Sequence, residues 1–207
     1  MTHEEQKLHE PVLIRISNRH VHLRREDLEL LFGEGYELTV RNYIGASKTE
    51  FAAEETVSVA GPKGVLERVR ILGPCRKYTQ IELMRSDCHR LGIKAPVRMS
   101  GDLDGSAPVI LFTNGRAVPL PRGAIIAERH IHLDHEVAER IGVTENDTVD
   151  ILVRSGRPLT FNQVAVHLNP ARTDDTITLH IDMDESNAAG IADASEGSLI
   201  AIRKGGS

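Results

Sequence analysis

Two His-x-His pairs are the residues of this chain best suited to metal chemistry. Ser17-Asn18-Arg19-His20-Val21-His22-Leu23 returns as Ala127-Glu128-Arg129-His130-Ile131-His132-Leu133, each copy following an apolar run, Val12-Leu13-Ile14 or Ala124-Ile125-Ile126. In an extended strand, side chains two residues apart leave the same face, so both imidazoles of a pair can address one ion. The duplication continues downstream. Val69-Arg70-Ile71-Leu72-Gly73-Pro74-Cys75-Arg76 resembles Val164 to Arg172, and Ile81 to Ile93 lines up with Leu179 to Ile191, which sets Glu82 against His180. Each half therefore offers three candidate ligands: His20, His22 and Glu82 in the first, His130, His132 and His180 in the second. Imidazole and carboxylate donors suit zinc, and three protein ligands leave one coordination position open for catalysis. His3, His9, His89, His135 and His167 lack this pattern and read as background.

Arg70, Arg76, Lys77 and Arg85 are basic residues close to the Glu82 segment. A solvated strand face would account for them. So would an anion site beside the metals, because a guanidinium presents a fork that matches phosphate. Gly73-Pro74-Cys75-Arg76 sets Arg76 on a tight turn close to Glu82. Asp182, Asp184, Glu185 and Asn187 admit roles as metal ligands, substrate ligands or helix caps, with capping the best fit for the acids. Gly61-Pro62-Lys63-Gly64 reads as a turn; it lacks the Gly-Lys-Ser/Thr order and following helix of a phosphate loop.

The elements that must hold these residues are mostly strands. Thr56–Val59 and Leu66–Leu72 flank the Gly61–Gly64 turn, and Val109–Phe112 and Ala117-Val118 flank Asn114-Gly115, a strong hairpin signal. Thr148–Val153, Asn162–His167 and Thr176–Ile181 continue the pattern. Two short helices are expected after the His-x-His pairs, from Arg24 to a terminal Gly33 and from an Asp134 cap to Gly142. Many short strands and few short helices point to a β-barrel or sandwich.

Composition narrows the partners. A chain of 207 residues suits one domain or two small ones of roughly 100 residues each. The net charge of −5, the 3% aromatic content and the lack of Trp argue against a nucleic-acid partner. Cys75 and Cys88 form no disulfide framework, so a reduced, cytoplasmic protein is expected. No apolar run approaches the roughly 20 residues of a membrane span. Residues 1–10 are polar and read as a disordered tail.

Together with Thr79-Gln80-Ile81-Glu82, Pro96-Val97-Arg98-Met99-Ser100-Gly101-Asp102-Leu103 and His180-Ile181-Asp182-Met183-Asp184-Glu185-Ser186-Asn187-Ala188-Ala189-Gly190, these motifs resemble the phosphate propanoyltransferase (phosphotransacylase) family from about Pro11 to Arg203. The resemblance implies a mainly β fold: two small β-barrel domains with short capping helices, in which the first strand packs with the C-terminal half. Domain 1 is then expected to combine residues 11–18 and 128–203, and domain 2 to span 19–127. It implies two zinc ions in one cleft, with His20, His22, Glu82, His130, His132 and His180 as the ligands. Arg76 matches the catalytic, phosphate-binding arginine, and Ser17, Arg19, Arg70, Leu72 and Asn187 match positions along coenzyme A. The chain departs from the family pattern at Asn42, at Lys48-Thr49-Glu50 before Phe51 and at His89.

The reaction implied is acyl-CoA plus phosphate giving acyl phosphate plus CoA, with propanoyl and acetyl groups both open and no covalent acyl-enzyme. Two other readings of the same ligands remain: a dinuclear zinc hydrolase of an ester, amide or phosphoester, and a non-catalytic metal-binding module. The partners expected are small molecules, with neither nucleic acid nor membrane; a homo-oligomer is left open. Family members packaged in microcompartments carry an N-terminal targeting helix, for which residues 1–10 are too short and polar, so a free cytoplasmic enzyme is expected.

Overall fold

Alternating apolar residues in short runs, punctuated by Gly, Pro and Asn, make this chain a set of strands. Among the described residues strands take 51% and four helices only 15%, which leaves too little helix to cover a layered α/β sheet. The computed structural model describes residues 9–44, 48–169 and 175–205. The polar N-terminal stretch lies outside these up to residue 8, and Glu10 already opens a strand.

The first repeat runs β1 (Glu10–Ser17), β2 (His20–His22), α1 (Arg25–Phe32), β3 (Val40–Ile44), β4 (Glu50–Ala60), β5 (Val65–Gly73), β6 (Gln80–Leu83), α2 (Arg85–Leu91), β7 (Val97–Arg98) and β8 (Ala107–Thr113). The second runs β9 (Arg116–Ala127), β10 (His130–Leu133), α3 (His135–Ile141), β11 (Thr148–Val153), β12 (Leu159–Leu168), β13 (Ile177–Asp182), α4 (Met183–Ala189) and β14 (Glu196–Arg203).

The chain divides into two compact units. One is Asn18–Ala127; the other joins the strand ending at Ser17 to the segment beginning at Glu128. Each contains a closed six-stranded barrel. In the first unit the ring is β9-β6-β2-β5-β4-β8, with β3 paired outside β4 and β7 beside β9. In the second it is β1-β13-β10-β12-β11-β14. Read in that order, both rings show the same pairings: parallel, antiparallel, parallel, then three antiparallel. The opening strands of the repeats are exchanged. β1 precedes β2 in sequence but closes the barrel of β10, and β9 precedes β10 but closes the barrel of β2. Closure leaves neither ring with an unpaired edge.

Each barrel has its own core. Val21, Ile71, Ile81 and Leu111 are fully buried in one, and Ile14, Ile131, Ile151, Leu179 and Leu199 in the other. β10 shows how the core fixes the site: Ile131 and Leu133 are buried while His130 and His132 stay half-open. A slip of one residue would exchange the two sets.

The two expected helices are present. Asp134 caps α3 by accepting from the Val137 amide at 2.7 Å, and Gly142 ends it in the left-handed region at φ 70°. Asp182 and Glu185 form the capping box of α4, the role that suited those acids best in sequence. Helix α2 carried no start signal, because its N-cap position is Met84; Asp87 supplies the acceptor from inside the helix, taking the Met84 amide at 3.2 Å.

The exchange makes a test. Ile14→Ala removes a fully buried side chain from β1 and should cost about 2–5 kcal/mol. Hydrogen exchange should show protection falling at Ile177, Leu179 and Leu199, with Ile71 and Ile81 unaffected. Loss confined to Ile71 and Ile81 would contradict the pairing.

Candidate metal centre

The third ligand of each candidate set arrives by strand pairing. β6 lies beside β2 with Glu82 directly opposite His20, and β13 lies beside β10 with His180 directly opposite His130. Opposed residues on one face stand close enough for their side chains to meet. The ligating atoms of His20, His22 and Glu82 lie within 4.8 Å of one another, as do those of His130, His132 and His180. The first group is the more enclosed.

The rings are aimed by the backbone just upstream. His20 Nδ1 lies 2.8 Å from the Asn18 carbonyl, and His130 Nδ1 lies 2.7 Å from the Glu128 carbonyl. A carbonyl can only accept, so Nδ1 carries the hydrogen and the Nε2 lone pair points inward, an arrangement typical of metal-ligating histidine. His20 Nε2 reaches Glu82 Oε2 at 3.3 Å, and His130 Nε2 stands 3.0 Å from His132 Nε2. Convergent imidazole nitrogens, with a carboxylate in one group, form donor sets that fit zinc.

Glu82 is held from its other oxygen. Gln80 Nε2 donates to Oε1 at 2.8 Å and Ser100 Oγ at 2.9 Å, while Gln80 Oε1 takes the Gly101 amide at 2.8 Å. Neither Gln80 nor Ser100 stands out in sequence as a site residue; only the structure shows that both orient the carboxylate. Burial alone would raise the Glu82 pKa, but His20 and His22 hold it far below the usual carboxylate range. For His22, burial, then His20 and Arg76, lower the pKa to about 3. Burial also opposes the charged form of His20, yet the Glu82 carboxylate outweighs it and the pKa rises.

The expected cationic residues have distinct positions. Arg76 sits just past β5, its amide donating to Leu23 O at 2.8 Å. Its Nη2 donates to Glu50 Oε1 at 2.7 Å and its Nη1 to Ser100 Oγ at 3.3 Å, the hydroxyl that also contacts Glu82. Gly73 allows this turn to lie under Phe51, whose Cζ would be 2.3 Å from any added Cβ. Arg70 stands opposite His20 on β5 and gives Nη1 to the carbonyls of Ala53 and Glu54 at 2.9 and 2.7 Å. Leu72 follows on the same strand.

Arg19 donates Nε to Asp87 Oδ2 at 2.8 Å, and its counterpart Arg129 donates Nη1 to Glu185 Oε1 at 2.7 Å. The arginine of each Arg-His-x-His phrase thus grips the carboxylate that starts the helix after the third-ligand strand. Ser17, at the end of β1, pairs with Asp182, and Asn187 is exposed on α4. His167, which reads as background in sequence, lies opposite His132 on β12 with ring centres 5.0 Å apart. Its signal was its position in the repeat, where the first half has Leu72.

These environments fix an acid response for the metal-free protein. Unfolded His22 takes a proton near 6.5 and folded His22 only near 3, so stability should fall as pH drops through that window. Glu82, also lowered, adds to the loss below about 4.5. His20, raised above 6.5, contributes stability that is already complete below that pH and adds no slope there. Thermal unfolding of chelated protein should show this fall, and His22→Gln should flatten it between pH 6.5 and 4.5; an unchanged slope would refute the assignment.

The model of the phosphate propanoyltransferase family matches residues 13–192. A phosphate propanoyltransferase of Thermotoga maritima is 47% identical, over 86% of this chain and 83% of its own. Those of Listeria monocytogenes and Leptotrichia buccalis are 41% and 40% identical over 91% and 90% of this chain, and 87% of their own lengths. The chain belongs to the phosphate propanoyltransferase family.

Proposed function

We propose that this chain interconverts a short-chain acyl-CoA, propanoyl-CoA or acetyl-CoA, and phosphate with acyl phosphate and CoA, using two zinc ions. As a member of its family the protein is a phosphate acyltransferase. One observation carries the reading beyond family likeness: Arg76 and Glu82 share the Ser100 hydroxyl, which sets a guanidinium fork beside a His-His-Glu triad. A hydrolase of a neutral ester or amide would need the triad but no anion-binding group next to it.

His20, His22 and Glu82 would hold one zinc, and His130, His132 and His180 the other. Zinc held there would supply Lewis-acid chemistry, suited to polarising a thioester carbonyl or stabilising a departing thiolate. Arg76 binds the phosphate and orients one oxygen toward the acyl carbon. The new bond is O–C, the bond broken is C–S, and the sulfur leaves as CoA thiolate. Bringing two anions together in one orientation is itself a large part of the rate enhancement. Ser17, Arg19, Arg70, Leu72 and Asn187 are assigned to coenzyme A. Burial raises the Cys75 pKa despite Arg25 beside it, so this residue is a thiol rather than a ready nucleophile, in keeping with direct transfer. Both cysteines are free, which fits a cytoplasmic enzyme. Among the described residues no helix is long and apolar enough to cross a membrane.

Thiol release from propanoyl-CoA and acetyl-CoA, measured with and without phosphate, tests the reaction. Release should require phosphate, vanish after chelation and return with zinc; release without phosphate would indicate a hydrolase. His20→Ala and His130→Ala should each lose one bound metal by elemental analysis. Arg76→Gln should raise the phosphate KM on the order of tenfold, the effect of losing a charged hydrogen bond. Cys75→Ala should remain active, and its inactivity would overturn direct transfer.

A further inference from the structure

We propose that Glu50 is a built-in competitor for the phosphate substrate, occupying the Arg76 guanidinium until phosphate displaces it. The inference rests on the reading of Arg76 as the phosphate-binding residue. Bidentate recognition of an oxyanion uses two parallel N–H groups of one guanidinium. Here Nη2 is already committed to Glu50 Oε1 at 2.7 Å, and Nη1 is turned to Ser100 at 3.3 Å. An incoming phosphate therefore meets a carboxylate at one of the donors it needs. Like charges at that spacing repel, so the two anions exclude each other rather than share the fork.

Exposure decides how strong this competition is. The Arg76 and Glu50 side chains are 31% and 48% exposed, and such partly solvated pairs are weak. Glu50 is thus displaceable. It raises the phosphate concentration needed for turnover without closing the site. Glu50 opens β4 opposite Ile44 of β3, and its exposed side chain packs in neither barrel core, so replacing it leaves the fold intact. The same competition applies in reverse, because an acyl phosphate presents the same oxyanion to Arg76. Acyl-CoA binding is not subject to it.

Steady-state kinetics of the zinc-loaded enzyme test the assignment. Glu50→Gln keeps an acceptor for Arg76 and removes the charge; Glu50→Ala removes both. Each should lower the KM for phosphate and for acyl phosphate about two- to fivefold, the range that a solvated ion pair implies. The KM for acyl-CoA should not move. Inorganic sulfate, used as a dead-end inhibitor, should inhibit both variants at correspondingly lower concentrations. An unchanged phosphate KM would overturn the proposal. A raised one in both variants would also overturn it, by showing that Glu50 positions Arg76 instead. Arg76→Gln separates the two failures: if it leaves the phosphate KM unchanged, the reading of Arg76 itself falls.

Discussion

The same cross-strand register, present once in each unit, builds both groups of candidate ligands. Glu82 lies opposite His20 and His180 opposite His130 because β6 and β13 pair antiparallel with the strands bearing the His-x-His phrases. Each of those strands is short, three and four residues, so its pairing cannot be secured by its own length. The register is instead imposed by the interleaved core residues, Val21 with Ile81 and Ile131 with Leu179, which are fully buried. A one-residue slip would turn the histidines into the barrel core and the core residues onto the site face. The hydrophobic cost of that slip is what holds the candidate ligands together in a protein without metal.

A second layer of interactions fixes how those ligands point. Carbonyls two residues upstream set the rings of His20 and His130, while Arg19 and Arg129 tie the same strand segments to the starts of α2 and α4. Asp87 and Glu185 each do two jobs, capping a helix amide and pairing with an arginine. Helix start, third-ligand strand and His-x-His strand are thereby linked in both repeats. The Arg-His-x-His phrase is in this sense a structural clamp and a candidate ligand pair written in consecutive letters.

What the sequence shows follows from this layering. A period of two and a repeated phrase are local signals, so the two triads of candidate ligands, most strands, the Gly33 end of α1 and the caps of α3 could be read directly. Helix α2 could not, since an apolar Met84 stands where a capping side chain is expected. Alternation tells which residues are buried but not which repeat buries them; the exchange of β1 and β9 was reachable only through resemblance to a family. Long-range partners were hidden for the same reason. Nothing local marks Ser100 as the hydroxyl for Glu82, Glu50 as the carboxylate on Arg76, or His167 as the neighbour of His132.

The two halves keep one backbone and differ in how they treat charge. A carboxylate as enclosed as Glu82 needs its lone pairs satisfied and a cation nearby, or it would take up a proton. Gln80 and Ser100 meet the first need, and His20, with Arg76 across Ser100, the second. His180 replaces that carboxylate with an imidazole that is neutral in its ligating form, and the demand for donors disappears. The position of Gln80, opposite His22, is taken in the second half by Thr178 opposite His132. Changing one ligand from Glu to His therefore goes with the loss of its amide support. The polar network that surrounds the carboxylate is also the network that reaches Arg76, so the anion binding proposed for Arg76 would fall in the half that carries Glu82.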